Sequence, residues 1–158
     1  MEEPLKFYTV RGYELLEKNQ RILTSSMEDY LEMIYRNSLT EGYMRIHTLS
    51  ALLNVAAPSA TKMVQKLSRL GFLDYKKYGI IVLTESGRKA GAYLLKRHEI
   101  IEGFLKCLGV KEDMLIETEL IEHSISHITL KRLEHFLCFL EENQDILERY
   151  EKFVSMME

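Results

Sequence analysis

Apolar residues recur at helical spacing along most of this chain and change to strand-like runs only between residues 72 and 84. In SMEDYLEMIYR, Tyr30, Leu31, Ile34 and Tyr35 share a face, and Ser26 stands at the capping position with Asp29 three residues on, as in a capping box. That predicts a helix over 27–37. A short helix over 48–53, with Leu49, Leu52 and Leu53 inward, breaks at Asn54 to Ala57 and restarts at Pro58, a residue suited to the first helical turn. In the second helix Ala60, Met63, Val64, Leu67 and Leu70 form the buried stripe, and Gly71 ends it. Two β-prone runs follow, 72–76 and 80–84, about a turn with Lys76, Lys77 and Gly79. This order predicts a winged helix-turn-helix.

The rest reads as helix throughout. Ala90, Leu94, Ile101, Phe104, Leu105 and Leu108 mark one long helix from Glu85 to Leu108, stopped by Gly109. Further helices are expected over Lys111–His123, Thr129–Leu140 and Gln144–Met157. They carry more apolar positions than a piece of about 60 residues hides from water by itself, which predicts a homodimer through this half. The fold class is therefore mainly α: an arm or short helix over 1–24, a winged helix-turn-helix DNA-binding domain over 25–84, and a linker helix with an all-helical dimerisation domain over 85–158. Leu5, Tyr8, Tyr13, Leu16 and Leu23 suggest that the arm packs. No room is left for a further C-terminal domain.

Charge sharpens that division. Residues 45–97 hold ten Lys/Arg against two Asp/Glu, whereas residues 98–158 hold six against fourteen. A basic middle followed by an acidic end suits a polyanion-binding module joined to a differently employed one. Outward positions of the second short helix, Ser59, Thr61, Lys62, Gln65, Lys66 and Arg69, with Lys76 and Lys77 of the wing, are the candidate groove and phosphate residues. No apolar run is long enough to cross a bilayer and MEEPLKFYTV lacks the features of a signal peptide, so a cytoplasmic protein without a membrane partner is expected. Cys107 and Cys138, without a CxxC or a framework, are expected as buried thiols.

Candidate chemistry centres on ETELIEHS. On a helix, Glu119, Glu122 and His123 at i, i+3 and i+4 share one side, and two carboxylates with an imidazole there call for a cation such as a divalent metal. Read alone, Asp29 serves as a cap partner, Glu32 as a solvated first-turn acid, and His98 as a structural histidine. HEIIE at 98–102 is not a HEXXH zinc motif, and nothing resembles a nucleophile with its base, so the chain is not expected to be an enzyme.

Five stretches, SMEDYLEMIY at 26–35, PSATKMVQKL at 58–67, YKKYGIIVLT at 75–84, KRHEIIEGFL at 96–105 and ELIEHSIS at 119–126, resemble the diphtheria toxin repressor family of metal-dependent transcriptional regulators, most closely its manganese-responsive branch. The resemblance implies metal ligands at Asp29, Glu32, His98, Glu119, Glu122 and His123, and two Mn²⁺ ions per subunit, with Fe²⁺ or Zn²⁺ able to bind. The iron-type branch carries methionine and cysteine where Asp29 and Glu119 stand, and hard carboxylates suit Mn²⁺. The implied function is a dimeric repressor of metal-uptake genes on palindromic double-stranded operator DNA, in which metal joins the first helix to the dimerisation half. An iron- or zinc-responsive regulator of the same build is the alternative, followed by a metal-independent winged-helix repressor that answers to an organic effector.

Overall fold

A computed structural model of the protein describes residues 23–157, so the expected arm lies, up to residue 22, outside the described residues. The first helix, α1 (Ser25–Glu41), begins two residues before the predicted boundary. Its cap is Thr24 rather than Ser26: the Thr24 hydroxyl accepts from the Met27 amide at 3.4 Å, and Met27 Sδ accepts from the Thr24 amide at 3.4 Å. A thioether closes the capping box where a glutamate usually would, so the box is Thr24 with Met27 rather than Ser26 with Asp29. Met27, Leu31 and Ile34 then fall on the buried face at helical spacing.

A two-residue strand, β1 (Met44–Arg45), precedes α2 (Ile46–Leu52) and α3 (Ala57–Arg69). Starting α2 at Ile46 turns Ile46, Leu49 and Ser50 inward, so Leu52, expected in the core, is 53% exposed. Pro58 lies in the first turn of α3, where its missing amide proton costs nothing. Ala60, Val64 and Leu67 are buried as predicted, Met63 is half-buried, and Leu70 sits at the exposed C-cap. Gly71 ends the helix at φ +84.

The wing is made of β2 (Leu73–Lys76) and β3 (Ile80–Leu83), joined by a 3₁₀ turn over Lys77–Gly79. With β1 it forms a three-stranded antiparallel sheet in the order β1-β3-β2, with Met44 opposite Ile81 and Tyr75 opposite Ile81 on the other side. Met44, Leu73, Ile81 and Leu83 face inward and join Met27, Leu31, Leu49, Val64 and Leu67 in one core cluster, while Arg45, Asp74 and Lys76 are exposed.

Helix α4 (Glu85–Cys107) follows, and the chain divides into two compact units that part in sequence at Leu95 and Lys96, within α4. In the first unit, the Thr84 hydroxyl donates to Gly71 O at 2.7 Å and accepts from the Gly87 amide at 3.0 Å, tying the start of α4 to the end of α3.

The second unit adds α5 (Met114–Glu122), α6 (His127–Glu142) and α7 (Gln144–Ser155). Asp113 takes a left-handed conformation, φ 52, so α5 begins three residues later than Lys111. Ser126 caps α6 by accepting from the Thr129 amide at 3.2 Å. Ile100, Ile101, Leu105, Leu130 and Leu140 are buried, and the Phe104 and Phe136 rings meet edge to face at 6.3 Å. Leu115, Ile116, Leu120, Ile128, Phe139 and Phe153 remain exposed. Cys107 is half-buried and Cys138 exposed, which corrects the expectation of two buried thiols. The cause is that Cys138 and Phe139 fall on the outer side of an amphipathic α6 that is covered on one face only. Among the described residues no helix is long and apolar enough to cross a membrane.

Candidate metal centre and DNA-binding surface

Within the second unit α4 supplies His98, α5 supplies Glu119 and Glu122, and His123 forms the C-cap of α5. The helical spacing read from ETELIEHS brings its three donors together: Glu119, Glu122 and His123 each offer an atom within 4.8 Å of the others. His98 Nδ1 lies 3.0 Å from Glu122 Oε2 and 4.0 Å from Glu119 Oε1. His123 Nε2 lies 3.7 Å from Glu119 Oε2 and 3.8 Å from Glu122 Oε1. Which atom donates between His98 and Glu122 depends on the imidazole tautomer.

Glu122 is 1% exposed, and a carboxylate so far from water requires compensating charge. Part of it comes from Arg97, a buried guanidinium 3.9 Å from Glu122 Oε1 and 3.4 Å from His123 Nδ1. Sequence reasoning missed Arg97. Its signal was its place beside His98 in KRHEIIEGFL, which an apolar stripe did not explain. Two carboxylates and two imidazoles converge here on small separations with oxygen and nitrogen donors and no sulfur, a set that fits a hard or borderline divalent cation.

The first unit carries Asp29 and Glu32 on α1, half-buried and buried respectively. Glu32 Oε1 accepts from Arg36 Nε at 2.9 Å and Nη2 at 2.6 Å, one turn along the helix. Glu32 is therefore a buried acid with a cationic partner rather than the solvated first-turn acid that its position in the sequence suggests.

The DNA-facing candidates divide by exposure. Ser59, Lys62, Gln65, Lys66 and Arg69 are exposed on α3, and Lys76 and Lys77 on the wing. Thr61 is half-buried and its hydroxyl donates to Ala57 O at 2.9 Å, so its hydrogen-bonding capacity is turned partly back to its own helix. At the wing tip Tyr78 is 91% exposed and adopts φ 66.

Comparison with known proteins identifies the families of two successive stretches of the chain. The family model described as iron dependent repressor, N-terminal DNA binding domain, matches residues 22–81, and the one described as iron dependent repressor, metal binding and dimerisation domain, matches residues 84–150. The chain is 41% identical over 129 residues to the HTH-type transcriptional regulator MntR of Lysinibacillus sphaericus (strain C3-41), covering 81% of this chain and 93% of that protein. To MntR of Bacillus subtilis (strain 168) it is 41% identical over 121 residues, 76% of this chain and 85% of that one. Among solved structures, the manganese regulator SloR matches with a TM-score of 0.63 at 30% identity over 72% of this chain. The metal-dependent transcriptional regulator MtsR matches with a TM-score of 0.67 at 29% identity over 74%. The chain spans about half the length of these two solved chains, 54% and 55%.

Proposed function

We propose that this chain, which belongs to the iron-dependent repressor family of metal-dependent transcriptional regulators, is a manganese-responsive repressor that binds palindromic operator DNA as a homodimer and controls metal-uptake genes. The observation that carries the metal reading is the donor set of the second unit: Glu119, Glu122, His98 and His123 offer carboxylate and imidazole donors without a thiolate or thioether. Mn²⁺ lies at the weak end of the divalent affinity series and is selected by ligand type and geometry, for which a carboxylate-rich set is suited.

Asp29 and Glu32 complete the proposed set of ligands. Their support is the resemblance of SMEDYLEMIY to the family's first-helix motif, together with the burial of Glu32, which is unusual for an acid without a task. Asp29, Glu32, Glu119 and Glu122 are four carboxylates, and two divalent cations per subunit supply the charge that neutralises them when ionised. The chain's own residues do the rest. Asp29 and Glu32 belong to the DNA-binding domain, and His98, Glu119, Glu122 and His123 to the dimerisation half. Simultaneous use of both groups restrains α1 and, through the dimer, the spacing of the two α3 helices. Palindromic DNA reads that spacing, because half-sites stand about 34–36 Å apart or at multiples of it. The exposed Lys62, Gln65, Lys66 and Arg69 of α3, with Ser59 and Thr61 nearer its start, supply the groove and phosphate contacts, and Lys76 and Lys77 those of the wing.

The test is affinity for a palindromic duplex selected from random sequence, measured with and without MnCl₂ at one fixed salt concentration. Tighter binding with Mn²⁺ is expected, and equal affinity overturns the reading. The nitrogen donors His98 and His123 also suit Fe²⁺ and Zn²⁺, which keeps an iron- or zinc-responsive regulator as the second reading. Anaerobic titration of DNA binding with each metal separates the two.

A further inference from the structure

We propose that Arg45 is a DNA-phosphate contact, acting with Lys76 as a basic row across the outer face of the wing. The row follows from the strand register. Arg45 of β1 lies opposite Ile80 of β3, and Ile80 lies opposite Lys76 of β2. Residues in register on antiparallel strands project to the same face, and strands lie about 4.7–4.9 Å apart, so the two cations stand roughly 10 Å apart at their Cα atoms with Ile80 between them. Arg45 and Lys76 are exposed, whereas the alternate positions Met44, Leu73 and Ile81 are buried on the opposite face.

This is the last row before the wing tip, where Lys77 and Tyr78 are also exposed. Three cations therefore gather at one end of the hairpin. Asp74, on the same face, stands one row further from the tip, opposite Val82. Among the described residues Arg45, Lys76 and Lys77 have no ion-pair partner, Asp74 included. The row is also held firmly. Gly79, at φ +70, packs so tightly that a Cβ there would stand 2.7 Å from Ile46 Cγ2. The turn of the wing is seated on the residue that follows Arg45.

Cations carried by a sheet, on long arms and with no carboxylate of the described residues paired to them, suit a polyanion met from outside. In a DNA-binding domain that polyanion is the phosphodiester backbone. Arg45 and Lys76 stand on the sheet rather than on α3, so the row adds a sequence-independent phosphate grip to the contacts of α3. This inference rests on the DNA-binding reading of the first domain.

The test uses the full chain at constant MnCl₂, a labelled random-sequence duplex, and affinity by fluorescence anisotropy over a series of KCl concentrations. Each phosphate contact contributes about 0.9 to the slope of log K against log salt. Arg45→Gln and Lys76→Gln are each expected to reduce the slope by about 0.9 for every subunit bound, while Arg45→Lys keeps the wild-type slope. Circular dichroism melts identical to wild type are expected for all three, because both side chains are exposed. A wild-type slope in either glutamine variant overturns the row. Absence of wild-type binding to any duplex overturns the DNA-binding reading instead, so the two failures are distinct.

Discussion

His98 Nδ1 lies 3.0 Å from Glu122 Oε2, with the imidazole 8% and the carboxylate 1% exposed as side chains. A buried pair of this kind is costly unless its members have further work, and here both are candidate metal ligands. Glu122→Gln keeps the shape and removes the charge. A ligand that binds only the folded chain stabilises it by about 2.7 kcal/mol at a free concentration 100 times its Kd. Wild type should therefore melt at a higher temperature in MnCl₂, and Glu122→Gln should lose most of that rise. Equal metal-induced shifts in the two proteins, read by thermal denaturation, would remove Glu122 from the ligand set.

Metal choice is expected to follow the two positions at which the chain departs from the sulfur-bearing pattern. Replacing Asp29 by Met together with Glu119 by Cys introduces soft donors in place of hard ones. DNA binding titrated anaerobically with Mn²⁺, Fe²⁺ and Zn²⁺ should show the activating metal moving away from Mn²⁺ in the double variant. An unchanged order of preference counts against these residues as selectors.

The start of α4 gives a prediction in pH. Lys89, hydrogen-bonded to Glu85 at 2.6 Å, holds the Glu85 carboxyl below its ordinary value of 4.5 by that bond and by its charge, with a smaller effect from Arg88. Because the folded value is the lower one, the contribution to stability is present above the unfolded value and fades as pH falls through the folded one. Glu85→Gln should therefore melt slightly below wild type at neutral pH, and the gap should close in acid below the ordinary carboxylate value. The effect is small because the pair is solvent-exposed. A gap that widens in acid contradicts the assignment.

Gly87 marks the tightest approach in the first unit, since a Cβ there would stand 1.9 Å from the carbonyl oxygen of Phe72. That oxygen also accepts from the Thr84 amide at 3.1 Å, so it cannot move without loosening the junction between the wing and α4. Gly87→Ala is expected to destabilise the protein by about 1–3 kcal/mol, the usual range for overpacking. Urea denaturation measures it, and a neutral result would mean that α4 starts with more slack than the packing shows.

What the sequence made legible is what periodicity encodes. The stripes Tyr30–Ile34, Ala60–Val64–Leu67 and Ala90–Leu94–Ile101 all turned out to face cores, and the wing fell within a residue of its predicted bounds. Features set by one or two residues were not legible. β1 is too short for alternation to register, so Arg45 was invisible as a sheet residue. The Met27 thioether in the cap has no place in the usual capping vocabulary, and without it Ser26 looked the better cap. Of the candidate ligands, ETELIEHS was readable from spacing alone because its donors share one helix. His98 was not, because its partner Glu122 is 24 residues away in sequence, and only the family resemblance linked them. Arg97 stayed hidden because arginine is ordinarily a surface residue.

If the proposed homodimer closes over the apolar side chains left open on α5, α6 and α7, among them Leu115, Leu120, Ile128 and Phe139, copy number becomes a regulatory variable. A dimer closed over such a face forms with second-order dependence on concentration, so the fraction of chains able to span two half-sites falls on dilution even at saturating metal. Under the proposed function, a cell that halves its stock of this protein raises the metal level at which repression sets in. In such a dimer gene dosage and ion supply enter the same equilibrium, and the threshold depends on both rather than on the metal sites alone.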